Sequence, residues 1–417
     1  MTAVMARSSQ WADAQAMTPS DRALTDFNRA PFLVIWEATR ACALACVHCR
    51  ADAIHRRDPR ELTTEEACRL IDQVRAFGAK PPLFVLTGGD PMLRPDLTDL
   101  IRYAVGTGLT VALTPSGTAA ATPARLAALK EAGLSRVAVS LDGPDPETHD
   151  AFRGVRGSYA WTMRIIDAAI DLGLPLQINS TISRLTLPSL EAMAARVAQF
   201  PLTLWALFFL IQTGRGVNLQ QINSEECERV LNYLYDLSLT SPFGIKTTEA
   251  PHFQRIIWQR EEARLQAGLP TQAVERRRQL RAPRSVNDGN GFVFIDHLGD
   301  ICPSGFLPVS SGNVRTTSLA DVYRTDEVFV RLRNANALLG KCGRCGFREI
   351  CGGSRSRAFA ATGANMASDP LCGYEPGPDT EPLVTIVCSF ATATDVPAAS
   401  MGSRWEALDT VAGGGTH

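Results

Sequence analysis

From Phe32 to about Leu210 short apolar runs alternate with longer amphipathic ones, and this alternation restricts the fold more than any other feature of the chain. The runs FLVIWEAT from Phe32, LFVLTGGD from Leu83, TVALTPSG from Thr110, RVAVSLDG from Arg136, LQINSTI from Leu176 and LTLWALFFL from Leu202 are rich in Val, Ile and Leu. Strands of a parallel sheet buried on both faces have that composition. Helical stretches separate them. One, TTEEACRLIDQVRAFG, opens with Thr63 followed three residues later by Glu66, a capping box. Six β-α units follow, and with them an α/β fold whose functional residues belong at the C-terminal strand ends. The uncommon residues gather there: cysteines after the first run, Gly88, Gly89 and Asp90 after the second, Ser116 and Gly117 after the third, Asp142 after the fourth. Composition alone does not exclude a doubly wound sheet.

The 417 residues exceed the usual size of one domain, so a smaller unit beside the main one is expected. A formal net charge of −1 offers no basic footprint for nucleic acid. The first residues lack an unbroken apolar stretch and no later segment runs long enough to span a bilayer, so a cytoplasmic protein without a membrane partner is expected. In a reducing compartment the 11 cysteines read as metal or cluster ligands rather than disulfides.

Cys42-x3-Cys46-x2-Cys49 lies directly after the first run, on a loop short enough to gather three thiolates. An iron–sulfur cluster takes four. Three with no fourth nearby leave one iron open to a ligand, whereas zinc would recruit a fourth donor, for which His48 or His55 is in reach.

This loop, with the aromatic-type His48 before its last cysteine, resembles the signature of the radical S-adenosylmethionine (SAM) superfamily, and the resemblance spans roughly residues 32 to 378. It implies a partial (β/α)6 barrel in which Cys42, Cys46 and Cys49 hold a [4Fe–4S] cluster and SAM chelates its open iron. Reductive cleavage of SAM to a 5′-deoxyadenosyl radical then starts the reaction. Gly88-Gly89-Asp90-Pro91 is similar to the family's motif that receives the SAM ammonium. Ser140 and Asp142 are similar to its ribose contacts, and Arg153 resembles the arginine that meets the SAM carboxylate. Asn179 and Thr181 fall where the fifth strand approaches SAM, and Leu210 and Ile211 where adenine is flanked.

Cys342-x2-Cys345-x5-Cys351, with Cys372 beyond it, resembles the SPASM extension, which implies a fully ligated auxiliary [4Fe–4S] cluster; a structural zinc is the competing reading. Ser304, Thr317, Ser354 and Arg355 stand where further cysteines are common, so one auxiliary cluster is expected, with Cys302 not a ligand. The expected organisation is a flexible tail over 1–30, the partial barrel over 31–235, a helical connector over 236–290 with the basic run Arg276 to Arg278, a small C-terminal Fe–S cluster domain over 291–378 and a tail over 379–417. Cys68 and Cys227 read as incidental helix thiols and Cys388 as a tail residue. His252 and Arg215 are weak candidates for an exposed substrate contact.

The segments GDICPSGFLPVSSGNV and CGRCGFREICGGSRSRAFAATG resemble the haem and haem d1 branch most, which implies a small-molecule, tetrapyrrole-type substrate and a flavodoxin- or ferredoxin-type reductant. Sulfur insertion into a nucleoside natural product from the auxiliary cluster and maturation of a ribosomal peptide are the alternatives. Only about 30 residues precede the first run, few for a peptide-recognition domain. An electron-transfer protein would need neither the open three-cysteine site nor the Gly88-Gly89-Asp90-Pro91 loop.

Overall fold

The structure, a computed structural model, describes residues 26–270 and 286–377. The basic run Arg276 to Arg278 and Cys388 lie outside them. All six expected runs form parallel strands: β1 Leu33–Glu37, β2 Leu83–Thr87, β3 Val111–Leu113, β4 Arg136–Ser140, β5 Leu176–Ile182 and β6 Leu204–Phe209. The helices between them are α1 Thr64–Arg75, α2 Leu97–Gly106, α3 Pro123–Glu131, α4 Pro146–Arg153, α5 Ser158–Asp171 and α6 Leu190–Val197. Thr63 caps α1 as its sequence indicates: its Oγ1 accepts from Glu66 N at 3.2 Å while Glu66 Oε2 accepts from Thr63 N at 2.9 Å. Val34, Trp36, Phe84, Leu86, Val111, Val137, Val139, Ile178 and Trp205 belong to one core, the strand residues packing against the inward stripes of the helices.

The sheet is larger than the six units predict. Its order is β7-β6-β5-β4-β3-β2-β1-β8-β9. Strand β7, Gly244–Thr248, lies in the segment expected as a helical connector, between α7 Ser224–Thr240 and α8 Phe253–Gln266, and pairs parallel with β6. Its sequence GIKTT has no apolar run because an edge strand is covered on one side only, and all five residues are half-buried. Strand β8, Phe292–Ile295, pairs parallel with β1, and β9, Ile301–Cys302, turns back antiparallel on it. The boundary expected at residue 291 therefore falls inside one continuous sheet. Phe27, expected in a flexible tail, is buried, and its carbonyl accepts from the Tyr323 hydroxyl at 2.6 Å. The remaining C-terminal helices are α9 Leu319–Thr325, α10 Glu327–Arg333, α11 Gly340–Arg344 and α12 Arg355–Thr362. Among the described residues no helix is long and apolar enough to cross a membrane.

Candidate active site

The loop carrying Cys42, Cys46 and Cys49 leaves the C-terminal end of β1 and is gripped from three sides. From β2, Gly89 N donates to Thr39 O at 2.7 Å and Asp90 N to Ala41 O at 2.6 Å. The approach is so close that a Cβ on Gly89 would stand 2.4 Å from Ala41 O; on Gly88 it would stand 2.3 Å from Thr39 O. From α4, whose final carbonyls have no partner within the helix, Phe152 O and Arg153 O accept from Val47 N and Ala45 N at 3.1 and 3.2 Å. Gly154 ends that helix at φ +68°, and a side chain there would meet Ala45 O at 2.5 Å. From the loop after β6, Arg215 Nε donates to Cys46 O at 2.9 Å and Arg215 N to Cys49 O at 3.0 Å.

Asp90 is fully buried, and its carboxylate is already filled, accepting from Thr118 Oγ1 at 2.6 Å, Met92 N at 3.1 Å and Ser116 N at 3.4 Å. It ties the β2 and β3 ends together, with Pro91 as the first residue of a buried turn behind it. Ser116 Oγ donates to Gly89 O at 2.5 Å and lies 3.6 Å from Cys42 Sγ. Arg153 and Asp142 form a buried ion pair. Despite its burial, the Asp142 carboxyl is held below the usual range by Arg153 and by Thr181 N, which donates to Oδ1 at 2.6 Å. The second guanidinium nitrogen of Arg153 lies 3.7 Å from Cys46 Sγ, and its Nε is buried without a partner. Ser140 at the end of β4 and Asn179 in the middle of β5 are register partners, and both are half-buried. Two networks thus meet the loop, Gly89 and Ser116 at Cys42, and Arg153, Asp142 and Thr181 at Cys46.

His48 stacks on Phe152 at 4.3 Å between centroids, and burial drives its pKa down to about 3. His252 and Arg215 are not exposed substrate contacts. His252 is fully buried, its Nε2 3.2 Å from Cys227 Sγ, and Arg215 is turned into the cysteine loop. Sequence reading missed Arg50, which pairs with buried Glu37 at the end of β1, donates to Gly305 O at 3.1 Å and lies over the Phe294 ring at 4.6 Å. Its position next to Cys49 was the available signal, but its partners come from β1 and from residues more than two hundred positions away.

Cys342, Cys345, Cys351 and Cys372 line one cavity, with Arg255 and Tyr374 beside them. Asp369 N lies 3.4 Å from Cys342 Sγ and Gly353 N 3.4 Å from Cys351 Sγ. Cys302 is buried on β9 and is not among these residues.

Both thiol sets fit iron–sulfur clusters. Four thiols around one cavity supply the number a cubane takes, and the three-cysteine loop would leave one corner to an outside ligand. Burial pushes the Cys42 and Cys372 thiols each up to about 11, the opposite of an activated nucleophile. A cluster that takes them as thiolates displaces their protons.

A parallel, partly closed sheet with this three-thiol loop at its C-terminal mouth defines a class of radical enzymes. The sequence model of the radical SAM superfamily matches residues 36–194. The AdoMet-dependent heme synthase of Oleidesulfovibrio alaskensis is 41% identical over 357 residues, 85% of this chain and 90% of that protein. The AdoMet-dependent heme synthase of Methanosarcina barkeri is 36% identical over 84% of this chain and 98% of its own length. The solved structure of Streptococcus suis SuiB bound to S-adenosylmethionine shares the fold, with a TM-score of 0.62 at 15% identity, over 83% of this chain and 78% of that one. The chain belongs to the radical SAM superfamily: it is an enzyme that works with a [4Fe–4S] cluster and SAM.

Proposed function

We propose that this enzyme is a synthase of the haem type, which converts propionate side chains of an iron tetrapyrrole to vinyl groups, with electrons supplied by a flavodoxin- or ferredoxin-type protein. The observation that carries this reading is the 41% identity to an AdoMet-dependent heme synthase along nine-tenths of that protein. Haem differs from the iron complex of coproporphyrin in bearing vinyl groups where propionates stand. One hydrogen atom must leave the propionate chain, then carbon dioxide and one electron, to give each alkene.

Bound at the open iron, SAM would supply the hydrogen-abstracting radical, and a cluster at the four-cysteine site would supply an acceptor for the departing electron. In this reading Cys42, Cys46 and Cys49 hold the first cluster and Cys342, Cys345, Cys351 and Cys372 the second. The Gly88 and Gly89 carbonyls face the SAM ammonium. Asp90 holds Ser116, whose hydroxyl fixes the Gly89 carbonyl. Arg153 and Asp142 would meet the carboxylate and ribose, and Ser140, Asn179 and Thr181 would complete the wall from β4 and β5. Arg153, hydrogen-bonded toward Cys46 and paired with Asp142, orients both sides of the site at once.

The test is anaerobic turnover of Fe-coproporphyrin III with SAM and dithionite. Mass spectrometry should show loss of carbon dioxide and two hydrogens per propionate converted. Changing Cys42, Cys46 and Cys49 to Ala should abolish 5′-deoxyadenosine formation. Changing the four C-terminal cysteines should spare much of that cleavage and remove the vinyl product. Unchanged porphyrin with intact SAM cleavage would reject the substrate, and full product from the second variant would reject a role for its cluster.

A further inference from the structure

Behind the four-cysteine cavity lies a group of buried charges that the reaction above does not use. Glu249, Asp288, Asp369, Arg355 and Arg357 are each at least nine-tenths buried. Arg357, on the first turn of α12, donates to Glu249 O at 2.6 Å and lies 3.4 Å from Asp369 Oδ2. Arg355 is spent on the carbonyls of Gly353, Asn365 and Ala367. The Glu249 and Asp288 side chains meet serines instead. Ser354 Oγ donates to Glu249 Oε2, and Ser356 donates to Asp288 Oδ2 from N at 2.7 Å and from Oγ at 2.8 Å. Ser304 Oγ stands 3.5 Å from Ser356 Oγ.

Three acids confront two guanidiniums in a space closed to water, and an uncompensated buried charge is expensive. Of the nearby cations among the described residues, Arg255 is paired with Glu228, and burial first, and then Arg357 and Arg255, hold His252 neutral with a pKa of about 4, so neither offsets the excess. One carboxyl must therefore carry a proton. Glu249 is the candidate by position: it follows β7 with φ +60°, a left-handed conformation that non-glycine residues rarely hold and that marks functional constraint. Burial, and next the Asp288 carboxylate, push its pKa up to about 8, against the opposing pull of Ser354 and Arg357.

We propose that Glu249 is the proton-carrying member of this group and a positioning residue for the four-cysteine site, its proton balancing the charge of an electron held there. The proposal rests on those four cysteines holding a cluster. Glu249 touches none of them, yet a short relay joins it to one. Ser354 bonds Glu249 through its hydroxyl and Asp369 through its N–H at 2.8 Å, and Asp369 N reaches Cys342 Sγ at 3.4 Å. Across so short a span of low-dielectric interior an added negative charge raises the proton affinity of a carboxylate. Linkage makes the effect reciprocal, so the proton raises the affinity of the site for the electron.

The test is potentiometry of the holoenzyme by electron paramagnetic resonance, following the reduced-cluster signal that SAM does not shift. The midpoint potential should be level below pH 8 and fall above it, by up to about 59 mV per pH unit, the one-electron equivalent of a tenfold change. Glu249→Gln, which imitates the protonated acid, should keep the low-pH value and lose the slope. Asp288→Asn should move the onset to lower pH. Infrared difference spectra on reduction above pH 8 should show a protonated carboxyl band in the wild type that Glu249→Gln removes. A wild-type potential that ignores pH, or a slope that survives Glu249→Gln, overturns the inference while the cluster stands. Iron near four rather than about eight per chain overturns the cluster assignment and the inference together.

Discussion

At the residue scale, the three-cysteine loop owes its shape to side chains that are absent. Gly89 lets β2 come within hydrogen-bond distance of the backbone at Thr39 and Ala41, and any Cβ there must push the cysteine loop away. Gly89→Ala is therefore expected to empty the first site selectively, with iron falling from about eight to about four per chain while the resonance signal of the second site persists. Far-ultraviolet circular dichroism should remain that of the native fold, because the strand itself is unchanged. Loss of both sites together would show that the clash spreads into the core. The glycines of this motif were legible in the sequence, whereas the burial of His252 was not: its polarity suggested exposure, but Cys227 of α7 and Asp369 of the C-terminal segment close over it.

At the element scale, the loop after β6 acts as a clamp. The Arg215 guanidinium ties Cys46 O and Ala53 O, and its backbone N–H ties Cys49 O, so one residue holds both ends of the motif's second half. Hydrogen bonds from a charged donor contribute about 1.5–3 kcal/mol each when their loss leaves the acceptor unpaired. Arg215→Ala should lower the melting midpoint by a few degrees, the size expected for losing bonds of that strength. It should also speed the removal of iron from the first site by a chelator and lower the rate of SAM cleavage. Equal chelation rates in the two proteins would mean that Gly89 and α4 suffice. Strand β7 belongs to this scale as well: a half-buried GIKTT segment has no periodic signal, and only the exposed edge of β6 makes it a strand.

At the scale of the whole molecule, the sheet joins residues far apart in sequence, and its buried histidines couple folding to pH. His149 and His252 are each lowered to about 4, burial being the largest cause in both. Their folded pKa values lie below the unfolded value near 6.5, so the unfolded chain binds the additional protons. Their contribution is intact above that value and is lost progressively as pH falls toward about 4. Denaturant midpoints should thus decline from pH 6.5 to about 4, and His252→Gln should flatten part of that decline; an unaltered profile would mean that His252 already carries a proton in the fold. Glu249 works in the opposite sense, since its raised pKa removes stability as pH climbs from the carboxylate range toward about 8.

The six apolar runs, the capping box at Thr63 and both cysteine sets were readable in the chain because each is written in local order: strand period, cap spacing, ligand spacing. The same is true of Gly88 and Gly89, whose lack of a side chain is itself the signal. What only the tertiary structure decided are the pairings between distant residues. Strand β8 lies beside β1, Arg50 reaches Gly305, Arg357 reaches the end of β6, and Glu249 and Asp288 meet across Ser354, which caps α12, and Ser356 in its first turn. Such contacts depend on how a closed, water-free volume balances shape and charge. No window of neighbouring residues encodes that balance, because each partner would be satisfied equally well by water until the fold excludes it.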